Sequence, residues 1–157
     1  MPEIIPNLWF DTEGEEAAEF YVSVFPNSKI KSVTHYNEAG PREAGMVLTV
    51  DFVLDGNEYI AINGGPEFKF TEAISLLINC ADQDEIDYYW DKLGEGGEHG
   101  PCGWLKDKYG LSWQVAPEGM DEMLNDADPG RAERGMKAML GMSKIDIAAL
   151  KAAADGI

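Results

Sequence analysis

Histidine and cysteine are scarce in this sequence, with only two of each among 157 residues: His35, His99, Cys80 and Cys102. Two cysteines build no disulfide framework, and a chain with 45% apolar residues can bury a core large enough to fold without one. No charged-then-apolar leader opens the chain, so a reducing, cytoplasmic setting is expected. Basic residues are few as well. Twelve Lys and Arg stand against 29 Asp and Glu, a net charge of −17, and the basic ones gather into no stripe. Such a surface repels phosphate backbones, which removes nucleic acid from the expected partners and leaves the acids as a solvated face. The longest apolar runs have only strand length, so no membrane-spanning segment is expected. Also missing is a glycine-rich turn leading from a strand into a helix, the usual cradle for a nucleotide-like methyl donor. Asn63-Gly64-Gly65-Pro66 follows a strand but runs into a proline, and Gly94-Glu95-Gly96-Gly97 follows a helix.

What is present is a pattern that occurs twice. Glu3 to Phe10 reads as a strand, and Thr12-Glu13-Gly14-Glu15 has capping-box spacing. Ala17, Phe20, Tyr21, Val24 and Phe25 then fall on one helical face ending at Pro26-Asn27. Strands follow at Lys29 to Tyr36, Met46 to Leu54 and Asn57 to Asn63, the last two joined by the hairpin signal Asp55-Gly56. The order then begins again: strand Ala73 to Cys80, cap Asp82-Gln83-Asp84-Glu85, and a helical stripe of Ile86, Tyr89, Trp90 and Leu93 that Gly94 closes. Strands around Glu98 to Pro101, Trp104 to Lys108 and Leu111 to Ala116 complete the second module, with Tyr109-Gly110 as a turn. The two helical stripes repeat at a constant offset, the mark of an internal repeat.

The expected fold is therefore α+β, two tandem βαβββ modules in one domain spanning 1–157: module one 1–68, module two 69–117, and a helical extension 118–157. In that extension Asp128-Pro129 reads as a helix start ahead of Ala132, Met136, Met139 and Leu140, and Ser143 as the cap of a last helix carrying Ile145, Ala148, Ala149 and Ala152.

Tandem βαβββ modules with the helix end Phe20-Tyr21-Val22-Ser23-Val24-Phe25-Pro26 resemble the vicinal oxygen chelate superfamily of glyoxalases, extradiol dioxygenases and antibiotic-resistance proteins. The run from Cys102 to Val115, the opening Leu8-Trp9-Phe10-Asp11 through Ala17, and Phe70 to Ser75 are similar to its PhnB-like branch, often labelled demethylubiquinone methyltransferase-like. The resemblance covers about residues 3 to 150 and implies a mixed, cupped sheet of the glyoxalase/bleomycin resistance type. In metal-using members four strands each supply one ligand. Those positions fall here at about Ile4, Ala61, Ser75 and Gln114, none of them a good donor for a divalent ion. The two histidines lie elsewhere, His35 in the second strand and His99 in a glycine-rich loop. The resemblance thus implies no metal and no cofactor, with Glu58, Asp51 or a register error as the routes by which one could still arise.

The expected site is a ligand-binding cup between the modules, walled by the aromatics Trp9 and Trp104 beside strands. Alternation along the strands puts the polar residues Ser75, Asn79, Ser112 and Gln114 on its side, opposite Trp113 and Leu76. Cys102, near His99, joins them as a possible thiol in a turn, whereas Cys80 reads as core. The leading expectation is a metal-free protein binding a small molecule in the manner of bleomycin-resistance relatives. Two others stand beside it: a metal-dependent lyase, isomerase or dioxygenase with atypical ligands, and a methyltransferase as the branch label suggests. Whether any reaction is catalysed stays open. A homodimer is expected because half-barrel edge strands and the helices bearing Met136, Met139, Met142 and Ile145 would otherwise leave apolar surface in water.

Overall fold

The structure, a computed structural model, describes residues 1–157. The chain divides into two compact units, Met1–Phe70 and Thr71–Ile157. Each carries one four-stranded mixed sheet with a helix packed on one face.

In the first unit the elements are β1 (Asn7–Phe10), α1 (Gly14–Val24), β2 (Lys29–His35), β3 (Val47–Leu54) and β4 (Asn57–Asn63), with sheet order β1-β4-β3-β2. β1 runs parallel to β4 and the other pairs are antiparallel. Asp55 and Gly56 both have positive φ, 46° and 83°, as a two-residue hairpin loop of the primed type requires. Alternation sends Val50, Phe52 and Leu54 inward with Leu8, Phe10 and Ala61, where they meet Ala17, Ala18, Tyr21 and Val24 of α1. Phe20 and Phe25 are only half-buried, so Ala18 completes the stripe in their place.

Two local expectations fail here. β1 starts at Asn7, four residues later than read, because its ladder to β4 begins only with the pair Asn7 and Ile60. The helix start is Glu13, with no side-chain cap of its own, and not Thr12. Its first turn is satisfied from a distance: the Gly14 N–H donates to Asn63 Oδ1 at 2.8 Å, in a buried bond. Asn63, 2% exposed, also donates from Nδ2 to Val47 O at 3.1 Å and accepts the Tyr36 hydroxyl on its backbone oxygen at 2.6 Å.

The second unit repeats the plan with β5 (Ser75–Cys80), α2 (Gln83–Gly94), β6 (Glu98–His99), β7 (Trp104–Lys106) and β8 (Ser112–Pro117), in the order β5-β8-β7-β6. β5 is parallel to β8, and the rest are antiparallel. Here the local signal holds: Asp82 accepts the Glu85 N–H at 2.9 Å while Glu85 Oε1 accepts the Ala81 N–H at 2.7 Å, a reciprocal cap. His99 lies in β6, not in a loop, with its ring stacked on Trp90 at 4.4 Å. The β7–β8 connection is held by Asp107, 2% exposed, which accepts from the backbone N–H of Tyr109 and Leu111 and from Trp113 Nε1 at 2.8, 3.1 and 2.9 Å.

Three helices extend this unit: α3 (Met120–Leu124), α4 (Pro129–Leu140) and α5 (Ile147–Asp155). Asp128 caps α4 with Pro129 in its first turn, as read. Ser143 does not cap α5; its hydroxyl donates to Gly100 O at 2.7 Å, and Asp146 caps the helix by accepting the Ala149 N–H. That shift rotates the buried face, so Leu150 and Ala154 lie inside and Ala148 and Ala149 outside. α4 buries only Gly135, against Ala154, which leaves Met136 44% and Leu140 61% exposed while Ile145 is fully buried.

Candidate functional site

Strand register decides which residues of the second sheet face α2 and which face away. Ser75 pairs with Ser112, Leu77 with Gln114 and Asn79 with Ala116 across the parallel ladder, while Trp104 and Lys106 of β7 pair with Gln114 and Ser112. Those eight residues share one face. The alternate residues Leu76, Ile78, Cys80, Leu105, Trp113 and Val115 turn toward Ile86, Tyr89, Trp90 and Leu93 of α2. Burial pushes the Cys80 thiol up to about 12, with the carboxylates of Glu85, Asp82 and Glu118 adding to the effect. At neutral pH it is a protonated core residue.

On the face away from α2, Gln114 Nε2 donates to Ser75 Oγ at 2.9 Å. Beside that bond lies a cavity of about 410 Å³ whose floor includes Leu77, Asn79, Trp104, Gln114 and Ala116. Its far side comes from the extension: Gly119, with φ 82°, turns the chain after β8 so that Met120 and Leu124 of α3 and Met139 of α4 close over it. Cys102 joins from the loop before β7, held at φ 58° by its N–H to Met142 O at 2.7 Å. Glu118, Asp121 and Glu122 stand at the rim and no Lys or Arg lines the cavity, so an anion is disfavoured there. A second, smaller cavity on the same sheet is lined by Trp104, His99, Lys106 and Ser112 among others.

Of the residues singled out from sequence, Asn79, Cys102, Trp104 and Gln114 line the larger cavity, Ser75 is bonded to Gln114, and Ser112 with Trp104 lines the smaller one. Cys102 and His99 serve different cavities, and His99 Nε2 lies 3.0 Å from Trp90 O, so no cysteine–histidine pair forms. Trp9 belongs to the first unit, where its indole N–H donates to Gly65 O at 2.9 Å and its ring meets Phe68 edge-on at 4.9 Å. Sequence reasoning missed the walls supplied by Met120, Leu124 and Met139, because their helices carry no strand-like alternation; Gly119 after Pro117 was the one available signal.

The residues do not fit a resident divalent ion. Ser75 and Gln114 are neutral and hydrogen-bonded to each other, and no three His, Cys, Asp or Glu side chains are grouped to hold a metal. Ala61 was a register slip of one residue: it is 1% exposed and packs beneath Gly14 of α1, so Ile60 and Ile62 occupy the other face. Ile4 is 96% exposed and precedes β1. Neither correction supplies a donor.

Residues 2–116 match the family model described as 3-demethylubiquinone-9 3-methyltransferase. Among solved structures the chain is similar to the PhnB protein of Bacillus cereus, with 37% identity over 74% of this chain and 99% of that one and a TM-score of 0.66. It also resembles protein PA1353 of Pseudomonas aeruginosa, at 19% identity, 75% and 98% coverage and a TM-score of 0.63. FosX, the fosfomycin resistance protein of Listeria monocytogenes solved with Mn(II) and sulfate, matches at 12% identity, 79% and 95% coverage and a TM-score of 0.55. At these last two identities the likeness is one of fold alone. Among curated proteins nothing matches the chain.

Proposed function

The chain belongs to the 3-demethylubiquinone-9 3-methyltransferase family, the PhnB-like branch of the vicinal oxygen chelate fold, and on that premise we propose that it binds a small, partly apolar, non-anionic molecule without a resident metal ion. The observation that carries the reading is the Gln114–Ser75 hydrogen bond at the edge of the 410 Å³ cavity. Where metal-using relatives of the fold would need charged donors, this chain has a neutral pair that leaves one carbonyl and one N–H of Gln114 to orient a polar group. Trp104, Leu77, Met120 and Met139 supply apolar wall, a composition suited to a small organic ligand.

Metal analysis of the purified protein, with thermal unfolding in the presence of a chelator and of added Mn²⁺, tests the metal-free part. We expect far less than one ion per chain and no change in Tm; a stoichiometric ion whose removal lowers Tm would overturn it. For the ligand, neutral aromatic fragments are titrated while the side-chain amide signals of Gln114 and Asn79 are followed by NMR. A fragment series in which no member shifts either signal would sink the assignment of the site.

The reading includes a homodimer, supported by Met136 and Leu140 exposed on α4 and by Leu77, 55% exposed on the edge strand β5. Light scattering at micromolar concentration should give twice the chain mass. No helix is long and apolar enough to cross a membrane.

A further inference from the structure

The smaller cavity of the second unit contains an anomaly that the larger one lacks. Ser112 is 1% exposed, and its Oγ is buried with no hydrogen-bond partner. A hydroxyl in that condition forfeits its bonds to water without replacing them, a cost that persists unless something in the cavity answers it. The space beside it measures about 180 Å³, somewhat above the roughly 150 Å³ that accommodates benzene in an engineered apolar cavity. Its lining includes Trp104, Pro101, His99 and Leu105, and its charged residues are Glu72, Glu98 and Lys106.

Lys106 is already committed. Its ammonium is paired with Glu72, which raises the lysine pKa and lowers that of the carboxylate, each mainly through their shared hydrogen bond. Two carboxylates against one ammonium leave the lining net negative, so the cavity offers an incoming anion no free cation. An aromatic wall, benzene-scale space, one hydroxyl able both to donate and to accept, and no anion site together define a narrow chemistry.

We propose that this cavity is a second binding site, distinct from that beside Gln114, for an uncharged single-ring aromatic carrying one hydroxyl, which exchanges a hydrogen bond with Ser112 Oγ. The site goes beyond the function proposed above and does not require it.

The test uses the full chain and three probes of similar size: phenol, toluene and benzoate. NMR titrations follow the backbone signals of His99 and Leu105, which line only this cavity, and of Asn79, which lines only the larger one. Phenol should shift His99 and Leu105, toluene should bind about five- to tenfold more weakly for want of one hydrogen bond, and benzoate should not bind. Ser112→Ala should fold with undiminished Tm, since it removes an unsatisfied group, and should weaken phenol about five- to tenfold while leaving toluene unchanged. Ser112→Thr, which keeps the hydroxyl, should retain the preference for phenol over toluene. Equal affinity for phenol and toluene, tighter binding of benzoate, an unaltered phenol affinity in Ser112→Ala, shifts confined to Asn79, or no binding at millimolar phenol would each overturn the proposal. The same outcomes leave the metal analysis and the Gln114 signals untouched, so the two sites fail separately.

Discussion

The first and second units share a strand plan, β1-β4-β3-β2 in one and β5-β8-β7-β6 in the other, with the first strand parallel to the last in each. Matched through the ends of those parallel strands, Phe10 with Cys80 and Asn63 with Pro117, Trp9 corresponds to Asn79, Ile60 to Gln114 and Glu58 to Ser112. The same frame therefore presents an indole in one copy and a short amide in the other. Trp9 lies over Gly64, where an added Cβ would come within 2.3 Å of its ring, and so fills its own face. Asn79 is exposed and borders a cavity that α3 and α4 help to enclose. The repeated plan fixes the backbone, and a few side chains decide which copy is filled and which is left open.

The largest expected effect lies in the two turns that join the last strands of each unit. The first is a two-residue loop whose positive φ values do the work, and the second depends on Asp107 accepting three N–H groups in a buried position. Asp107→Ala should lower stability by about 3 kcal/mol in denaturant titration, because two backbone donors and an indole are stranded together. Asp107→Asn should recover part of that loss, since its one oxygen can still serve the backbone while its NH₂ opposes the indole N–H. Equal losses in both variants would show that the carboxylate acts by some other route.

The Trp9–Asn79 correspondence can be broken from both sides. Trp9→Ala should cost close to 3 kcal/mol, the lower end for a buried tryptophan, as the ring is half-buried. Asn79→Trp should leave Tm unchanged or raised, because it fills open space, and should abolish fragment shifts at Gln114. Retained binding in a folded Asn79→Trp protein would show that the cavity beside Gln114 is not where the ligand sits.

Helix starts sharpen the same contrast at lower energy. α1 is capped by Asn63 from 49 residues away, α2 by Asp82 within its own first turn. Asn63→Ala strands the Gly14 N–H and the Val47 carbonyl in a buried setting and should cost about 2 kcal/mol; Asp82→Ala, at an exposed cap, about 1 kcal/mol. These two numbers separate what the sequence could reveal from what it could not. Repeat, element order along the chain, hairpin and the α2 cap are written in neighbouring residues and were readable, as was the opposition of Trp113 and Gln114 along one strand. The role of Asn63, the burial of Ala61 against α1, the lid of Met120 and Met139 and the orphaned Ser112 hydroxyl depend on contacts between residues far apart in the chain, which periodicity does not encode.

The smallest effect tests that division directly. Thr12-Glu13-Gly14-Glu15 carries the spacing of a capping box, and a box in use would make Thr12→Ala cost about 1 kcal/mol. In the structure the helix start is displaced by one residue to Glu13, where no side-chain cap of the helix's own is made, and the Gly14 N–H is served by Asn63 instead. Thr12→Ala should then change stability by less than about 0.5 kcal/mol, as an exposed substitution away from any buried partner does. The double variant Thr12→Ala/Asn63→Ala gives the stricter reading. If the distant amide is the true cap, its loss frees the N-terminus to recruit the threonine, and the double variant should lose more stability than the two single changes add up to. Strict additivity, with Thr12→Ala alone near 1 kcal/mol, would mean that α1 is capped locally after all and that its start is specified in the same way as that of α2.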